Sequence, residues 1–398
     1  MDRPFFFLHI RKTAGVSLRG LLANRFPVGK LLFQAHSVGG PQDPGQAVFA
    51  TGHVGFDYAQ RFRTWPTIFT MLREPVSRSL SAYRFFQNHS EAFYRVLATE
   101  LSPADYDSRR RFSEHARSLG MRRFLRDHES LARTWLSNVQ TRQLAGAACA
   151  GLADDDPRLI ETALHHFGSI DLVGIFERLD QTLHLLGRLT NWGSLGPVQH
   201  LNMTGLSDSD PDPACLEILR SWNELDSYLY DAALARFETQ LAALDDASAK
   251  DIPTSASSPI EGDLYTPDQP IHGYGWHERE WFQGKWLCWN SAPIATLNLR
   301  PARSRPSTFR CLLSHAISEA VLEHLAISVN SMPLRLQKRA VDGGILVEGD
   351  IVQAAWATDS SVARLTFTCP VMGRPCDVDP ASTDRRNLGV ALAWLRME

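Results

Sequence analysis

The chain has 398 residues, 44% of them apolar and 21% charged, with a formal net charge of −3. That is long enough for two domains and close to the composition of an ordinary globular protein. The weakly acidic balance argues against bulk nucleic-acid binding, which calls for a basic domain, and leaves room for a local basic cleft.

The opening run "PFFFLHI" is too short for a secretory signal and leads straight into Arg11 and Lys12. No apolar stretch reaches the length of a bilayer span, so the expectation is a cytoplasmic chain without a transmembrane segment. The six cysteines are scattered with no CxxC pair and read as reduced thiols; a Cys369–Cys376 link has no support.

"FFFLHI" reads as a buried strand and "SLRGLLANRF" as the helix after it. "TIFTML" is a second buried strand, followed by the helix "PVSRSLSAYRFF" with Pro75 in its first turn, where a missing N–H costs nothing. Long helices fill the middle, around "SEHARSLGMRRFLRDHESLARTWL". "LVGIF" is a third strand, with the amphipathic "LDQTLHLLGRLTNW" behind it, and two more helices run to Leu244. Strands alternating with helices predict a parallel sheet with covering helices over residues 1–244.

Residues 245–270 begin with "DDASAKDIPTSASSPIEGD", poor in large apolar residues, and read as a linker. From 271 to 398 the texture changes to short alternating runs: "PIATLNLR", "TFRCLLSHAI", "HLAISVN", "VARLTFT" and "LGVALAWL". They predict an all-β sandwich. Trp276, Trp281, Trp286 and Trp289 cluster near its start, where they either stack on sugars or fill a core or seam.

The segment "HIRKTAGVS", His9 to Ser17, is the first candidate site. A strand, a glycine turn and a helix leave unpaired N–H groups pointing at whatever sits before the helix, and the helix dipole favours an anion there. Thr13 and Ser17 add hydroxyls, Gly15 lets the backbone come close, and Lys12 adds a full charge. Lys12 and Lys30 are the only lysines before Lys250. The Walker pattern GxxxxGK[ST] is absent, so this is P-loop-like only, and an exposed turn with a solvated lysine accounts for the stretch equally well. The second candidate is "TMLREPVSRSLSAYRFF". Arg73 stands at the carboxyl end of a strand, where open α/β sheets bind ligands, and its planar fork suits phosphate. Arg78 and Ser81 share a helix face beyond it.

The two segments together resemble the membrane-type, carbohydrate-directed sulfotransferases. In that family a "PKTAG-x-S" loop binds the 5′-phosphosulfate of 3′-phosphoadenosine 5′-phosphosulfate (PAPS), and "RxPxxRxxSxY" binds its 3′-phosphate. Here these read "RKTAGVS" and "REPVSRSLSAY", with Arg11 where the family usually has proline. The resemblance implies that Arg11, Lys12, Thr13, Ala14, Gly15, Val16 and Ser17 cradle the 5′ end, and that Arg73 and Ser81 clamp the 3′ end. "TGHVGFDYAQRF" is similar to the uronyl and hexuronyl 2-O-sulfotransferase branch, which implies His53 as general base; His36 is the rival imidazole on the substrate side. "SNVQTRQLAG", "LVGIFERLDQTLHLL" and "HLNMT" are further landmarks, which add Arg142 to the substrate side and Thr204 to the nucleotide contacts. The C-terminal part resembles a β-sandwich, jelly-roll-like, appended to bacterial glycosyltransferases.

What the resemblance implies is a sulfuryl transfer from PAPS to a hydroxyl of a glycan or glycolipid, leaving adenosine 3′,5′-bisphosphate (PAP), with no metal. Lys12 would hold the charge growing on the leaving phosphate and His53 would take the acceptor's proton. The rival readings are a P-loop-like small-molecule kinase and a non-catalytic nucleotide- or glycan-binding protein. The arginines between Arg109 and Arg126 are either a solvated helix face or a field that guides an acidic glycan.

Overall fold

The computed structural model describes residues 3–33, 35–37, 40–89, 94, 102–196, 212–248, 260–303, 305–356, 361–379 and 381–398. The chain divides into two compact units. The first comprises Met1–Gly15, Leu32–Thr182 and Asn202–Lys250; the second comprises Val16–Leu31, Leu183–Leu201 and Asp251–Glu398.

The first unit is built on a parallel sheet. Strands β1 (Phe5–Leu8), β2 (Phe49–Gly52), β3 (Thr67–Leu72) and β4 (Leu172–Ile175) pair in the order β2-β1-β3-β4. A two-residue strand, Leu31–Leu32, makes a fifth at the β2 edge. Every residue of β1, β2 and β4 is buried, as a parallel sheet covered on both faces requires. β2 has no counterpart among the expected strands: "FATG" is short and includes alanine and glycine, both depleted in strands.

Helix α1 (Gly15–Ala23) follows β1 in the chain, and α2 (Pro75–Gln87) follows β3. Glu74 caps α2 by accepting from the N–H groups of Val76 at 3.0 Å and Ser77 at 2.6 Å, with Pro75 at the first helical position. The long helical stretch breaks into α3 (Pro103–Leu119), α4 (Met121–Asp127) and α5 (Glu129–Leu136). Gly120, at φ 71°, makes the first break. Then come α6 (Val139–Ala145), α7 (Pro157–Gly168), α8 (Leu179–Leu189), α9 (Pro213–Trp222) and α10 (Glu224–Ser248). Tyr83 and Phe86 of α2 share one apolar cluster with Phe112, Phe124, Trp135 and Trp222. That cluster fixes α2, and with it the chain just after β3, against a rigid helical layer.

The second unit contains the sandwich. Its expected strands form as β5 (Ile294–Arg300), β6 (Thr308–Ala316), β7 (Ala326–Val329), β8 (Ala363–Thr368) and β9 (Val390–Met397). β6 and β9 lie in a seven-stranded sheet, and β5, β7 and β8 in a five-stranded one. Leu297, Leu299, Phe309, Leu313, Leu365, Phe367 and Leu395 from both sheets fill one core. Trp276 belongs to that core and donates from its indole N–H to the Thr296 carbonyl at 2.8 Å. Trp281 is 61% exposed, its ring 5.5 Å from that of Trp286 across a hairpin.

Residues 16–31 are part of this second unit. Asn24 Nδ2 donates to the His277 carbonyl at 2.8 Å, Arg25 Nη2 to the Gly273 carbonyl at 2.7 Å, and Arg19 pairs with Glu278 at 2.9 Å. All six cysteines are free thiols. Among the described residues no helix is long and apolar enough to cross a membrane.

Candidate active site

The register of the sheet decides which side chains meet at its carboxyl edge. Leu8 pairs with Gly52 and Leu72 with Ile175. The first residue beyond each strand therefore stands beside the first beyond its neighbour: His9 beside His53, and Arg73 beside Phe176. The His9 and His53 rings are 4.3 Å apart, and the Arg73 guanidinium lies 4.2 Å from the Phe176 ring centre.

The loop from Arg11 to Ala14 has an unusual backbone. Lys12 at φ 72° and Ala14 at φ 65° are both in the left-handed region, whereas Arg11 and Thr13 are not. Alternating right- and left-handed residues make an anion-binding nest, and this loop has left-handed residues at the alternate positions a nest uses. Non-glycine residues hold left-handed angles only when their surroundings enforce them. Thr13 supplies part of that enforcement: it is buried, and its hydroxyl donates to the Ile10 carbonyl at 2.8 Å. Its proton thus shapes the loop. Gly15 opens α1 with no room for a side chain, because a Cβ there would lie 1.6 Å from His9 Nε2.

Arg73 is fixed from both sides. Gln140, fully buried on α6, accepts from the Arg73 N–H at 2.9 Å and donates to the Arg73 carbonyl at 2.8 Å. The Arg73 guanidinium donates from Nη1 to the Lys12 carbonyl at 3.2 Å, so the strand-end arginine and the loop lie together. Its buried Nε has no hydrogen-bond partner. A buried donor left that way is costly, and an anionic oxygen would satisfy it.

The electrostatics are lopsided. Burial pushes Lys12 down to about 8, helped by the charges of Arg73 and Arg78. Burial also pulls Arg11 down to about 9, with Arg109 the next cause, and Arg78 down to about 10. Arg73 is lowered too, by burial, with Glu177 and Glu74 opposing. The Arg11 and Arg109 guanidiniums lie 5.0 and 5.2 Å from the ring centre of Trp135. Lys12 Nζ lies 4.1 Å from the Phe85 ring centre. Desolvated cations that repel one another mark a place built for a negative ligand. The buried Arg78 is committed to structure: its Nη2 donates to Ser79 Oγ at 3.0 Å and to the Trp135 and Leu136 carbonyls at 3.1 and 3.3 Å.

His53 is held in one tautomer. Its Nδ1 lies 2.9 Å from the His9 carbonyl oxygen, which can only accept, so in the neutral ring Nδ1 carries the proton and Nε2 the lone pair. Gln143 steadies the same carbonyl, donating from Nε2 to it at 2.8 Å and to the Val54 carbonyl at 3.0 Å.

Ser81 is half-buried on α2. Arg142 is engaged by Asp154 at 2.6 Å and by the Leu152 carbonyl at 2.9 Å. Val16 and Ser17 belong to the second unit, where Ser17 borders a cavity of about 220 Å³ with Asn24, Arg25, Tyr274 and Glu278. Thr204 and the side chains of Val16 and His36 lie outside the described residues. Of the arginines between Arg109 and Arg126, Arg110, Arg122, Arg123 and Arg126 form surface ion pairs. Arg109 alone among them shares Trp135 with the loop arginine. No motif in the sequence assigns a role to His9, Gln140 or Gln143. The two glutamines, three apart on one helix face in "VQTRQLA", are the pattern that signals them.

A loop with two left-handed residues at a helix start, a strand-end arginine beside it and an imidazole pair thus meet at one edge of the sheet, an arrangement suited to an anionic ligand. No family model matches the chain. It is 28% identical over 267 residues to galactose-3-O-sulfotransferase 3 of Bos taurus, across 60% of this chain and 57% of that protein. The identity to galactose-3-O-sulfotransferase 3 of Homo sapiens is 28% over 266 residues, across 59% of this chain and 56% of that protein. The chain thus spans somewhat more than half the length of these curated relatives. Among solved structures, a sulfotransferase from Alicyclobacillus acidocaldarius matches 61% of this chain and 96% of its own, at 18% identity and a TM-score of 0.28. Both relatives are carbohydrate sulfotransferases by name, the family that "RKTAGVS" and "REPVSRSLSAY" resemble.

Proposed function

We propose that this chain transfers a sulfuryl group from PAPS to a hydroxyl of a carbohydrate. The observation that carries the reading is the meeting of Lys12 and Arg73 at one edge of the sheet, both desolvated, beside the His9–His53 pair. The two cations sit on separate strand-end loops of one sheet, which suits a ligand with phosphates at both ends of a nucleoside. In this reading the loop from Arg11 to Gly15 holds the 5′ end. Arg73, with Ser81, holds the 3′-phosphate through its fork and its otherwise unpartnered Nε.

The acceptor oxygen forms its bond to sulfur as the bond from sulfur to the bridging phosphate oxygen breaks. The acceptor's proton goes to His53 Nε2, and the electron pair stays on the departing phosphate, where Lys12 and the loop amides meet it. The names of the relatives specify galactose, so galactose-bearing glycans are the acceptors to try first.

The test has two parts. Calorimetry compares adenosine 3′,5′-bisphosphate with ATP, and the bisphosphate is expected to bind at least tenfold more tightly. Labelled sulfate is then followed from PAPS onto a panel of galactosides and acidic glycans. Equal affinity for ATP, or bisphosphate binding with no label on any glycan, overturns the reading.

A further inference from the structure

His9 lies at the junction of everything the site needs, although no motif assigns it a task. Its ring rests on the first residue of α1, since a Cβ at Gly15 would sit 1.6 Å from Nε2 and 1.9 Å from Cδ2. The ring stacks with that of Phe7, centres 5.4 Å apart and 11° from parallel, and meets the His53 ring at 4.3 Å. Its backbone carbonyl takes the bonds from His53 Nδ1 and Gln143 Nε2. One residue therefore touches the head of the helix that bears the anion loop and, with both ring and carbonyl, the imidazole beside it.

A wedge in this position sets a distance. The anion held by the loop is fixed relative to Gly15, and His53 is fixed relative to His9. With the His9 ring against both, a shift of either one presses on the other. Transfer chemistry is sensitive to such spacing, because a misplacement of about 1 Å costs roughly 100-fold in rate. A methyl at position 15 would push the ring off its seat, which explains why the position needs glycine at a φ that is not left-handed.

We propose that His9 is a positioning residue, whose imidazole spaces His53 from the start of α1 and keeps the His53 ring seated against the His9 carbonyl, the contact that leaves the lone pair on Nε2. The part of this that concerns rate rests on the sulfuryl-transfer reading; the seating of His53 does not.

The experiment compares wild type, His9→Ala and Gly15→Ala, with His9→Gln as the variant to use if alanine does not fold. Imidazole 15N spectra read the His53 tautomer directly, its signals being assigned by their loss in His53→Ala. Wild type is expected to show the single Nδ1–H form. His9→Ala and Gly15→Ala are expected to show exchange between tautomers. In His9→Ala, kcat should fall at least tenfold, while KM for PAPS and the Kd of adenosine 3′,5′-bisphosphate stay within about twofold. A His53 spectrum unchanged by both substitutions overturns the proposal, as does a fall in bisphosphate affinity in His9→Ala as large as the fall in kcat. If wild type neither binds the bisphosphate nor transfers label, the functional reading has failed, and the spectra still decide whether His9 holds His53.

Discussion

Arg73 Nη1 donates to the Lys12 carbonyl at 3.2 Å, tying together two loops separated by 61 positions in the chain. The guanidinium thereby braces the loop, and its buried Nε has no hydrogen-bond partner. Removing it takes away a charge-assisted contact that contributes about 1.5–3 kcal/mol, roughly 10- to 100-fold in affinity. Arg73→Ala is accordingly expected to weaken adenosine 3′,5′-bisphosphate by that factor in calorimetry. Arg73→Lys should recover little, because an ammonium has no planar fork. Wild-type affinity in Arg73→Ala would show that this side chain grips no phosphate.

Gln140 supports Arg73 at one remove. It is fully buried, and its amide pairs with both backbone groups of Arg73 at 2.9 and 2.8 Å. Cutting it back to alanine leaves a part-buried N–H and a part-buried carbonyl unmet, each costing about 1–3 kcal/mol. Gln140→Ala should lower unfolding free energy by roughly 2–4 kcal/mol in urea, summing two such losses with some relaxation. A change under about 0.5 kcal/mol, the size of an ordinary surface substitution, would mean the clamp is replaced by water.

The fold was readable wherever side chains alone decide it. β1, β3 and β4 announce themselves because a strand buried on both faces is a continuous apolar run. The sandwich strands show because one-sided burial forces alternation. β2 stayed hidden because Phe49, Ala50, Thr51 and Gly52 are paired by their neighbours more than by their own preferences. The membership of residues 16–31 in the second unit was invisible for a similar reason: apart from the Arg19–Glu278 pair it rests on backbone carbonyls, which every residue has. At the site, Lys12 and Arg73 stand out as cations at strand ends. What the sequence withheld was how each group is used. The Thr13 hydroxyl turns inward to Ile10, Arg142 is taken by Asp154, and His9 matters for what its ring rests on.

Arg279 carries that hidden connection within the second unit. Its Nη2 donates to the Ala23 and Phe26 carbonyls at 2.7 and 2.6 Å, and its Nη1 to the Gln269 carbonyl at 2.8 Å. It is 7% exposed. Bonds from a charged donor contribute about 1.5–3 kcal/mol each, and their loss strands buried acceptors at the end of α1. Arg279→Ala is expected to cost roughly 3 kcal/mol or more in denaturant unfolding. It should also raise amide hydrogen exchange first in residues 16–26. Uniform loss of protection across the chain, without that local onset, would count against a local anchor.

His53 separates binding from chemistry. Its Nδ1 is tied to the His9 carbonyl, and in the proposed reaction its Nε2 takes the acceptor's proton. His53→Ala should reduce label transfer by about 100- to 10,000-fold, the range general base catalysis spans, with bisphosphate affinity unchanged. Persistent transfer would put the base elsewhere, and the described side chains next to it make His9 the first alternative to examine by the same assay.

Lys12 gives the site a dependence on pH whose sign can be worked out. Burial, with Arg73 and Arg78 close by, holds its ammonium at about 8, below the ordinary 10.5. Between those values the unfolded chain holds a proton that the folded chain has released, so stability rises as pH climbs through about 8. Anion affinity runs the other way. Below pH 8 the ammonium is already charged, and above it a bound phosphate must draw a proton back onto Nζ. Bisphosphate binding should therefore weaken above pH 8 and take up protons there, visible as a calorimetric enthalpy that depends on the ionisation heat of the buffer. In Lys12→Arg both effects should vanish over this range, because a guanidinium keeps its charge where the ammonium loses it. Proton uptake that survives in Lys12→Arg would assign the titration to another group, and proton release in wild type would contradict the direction itself.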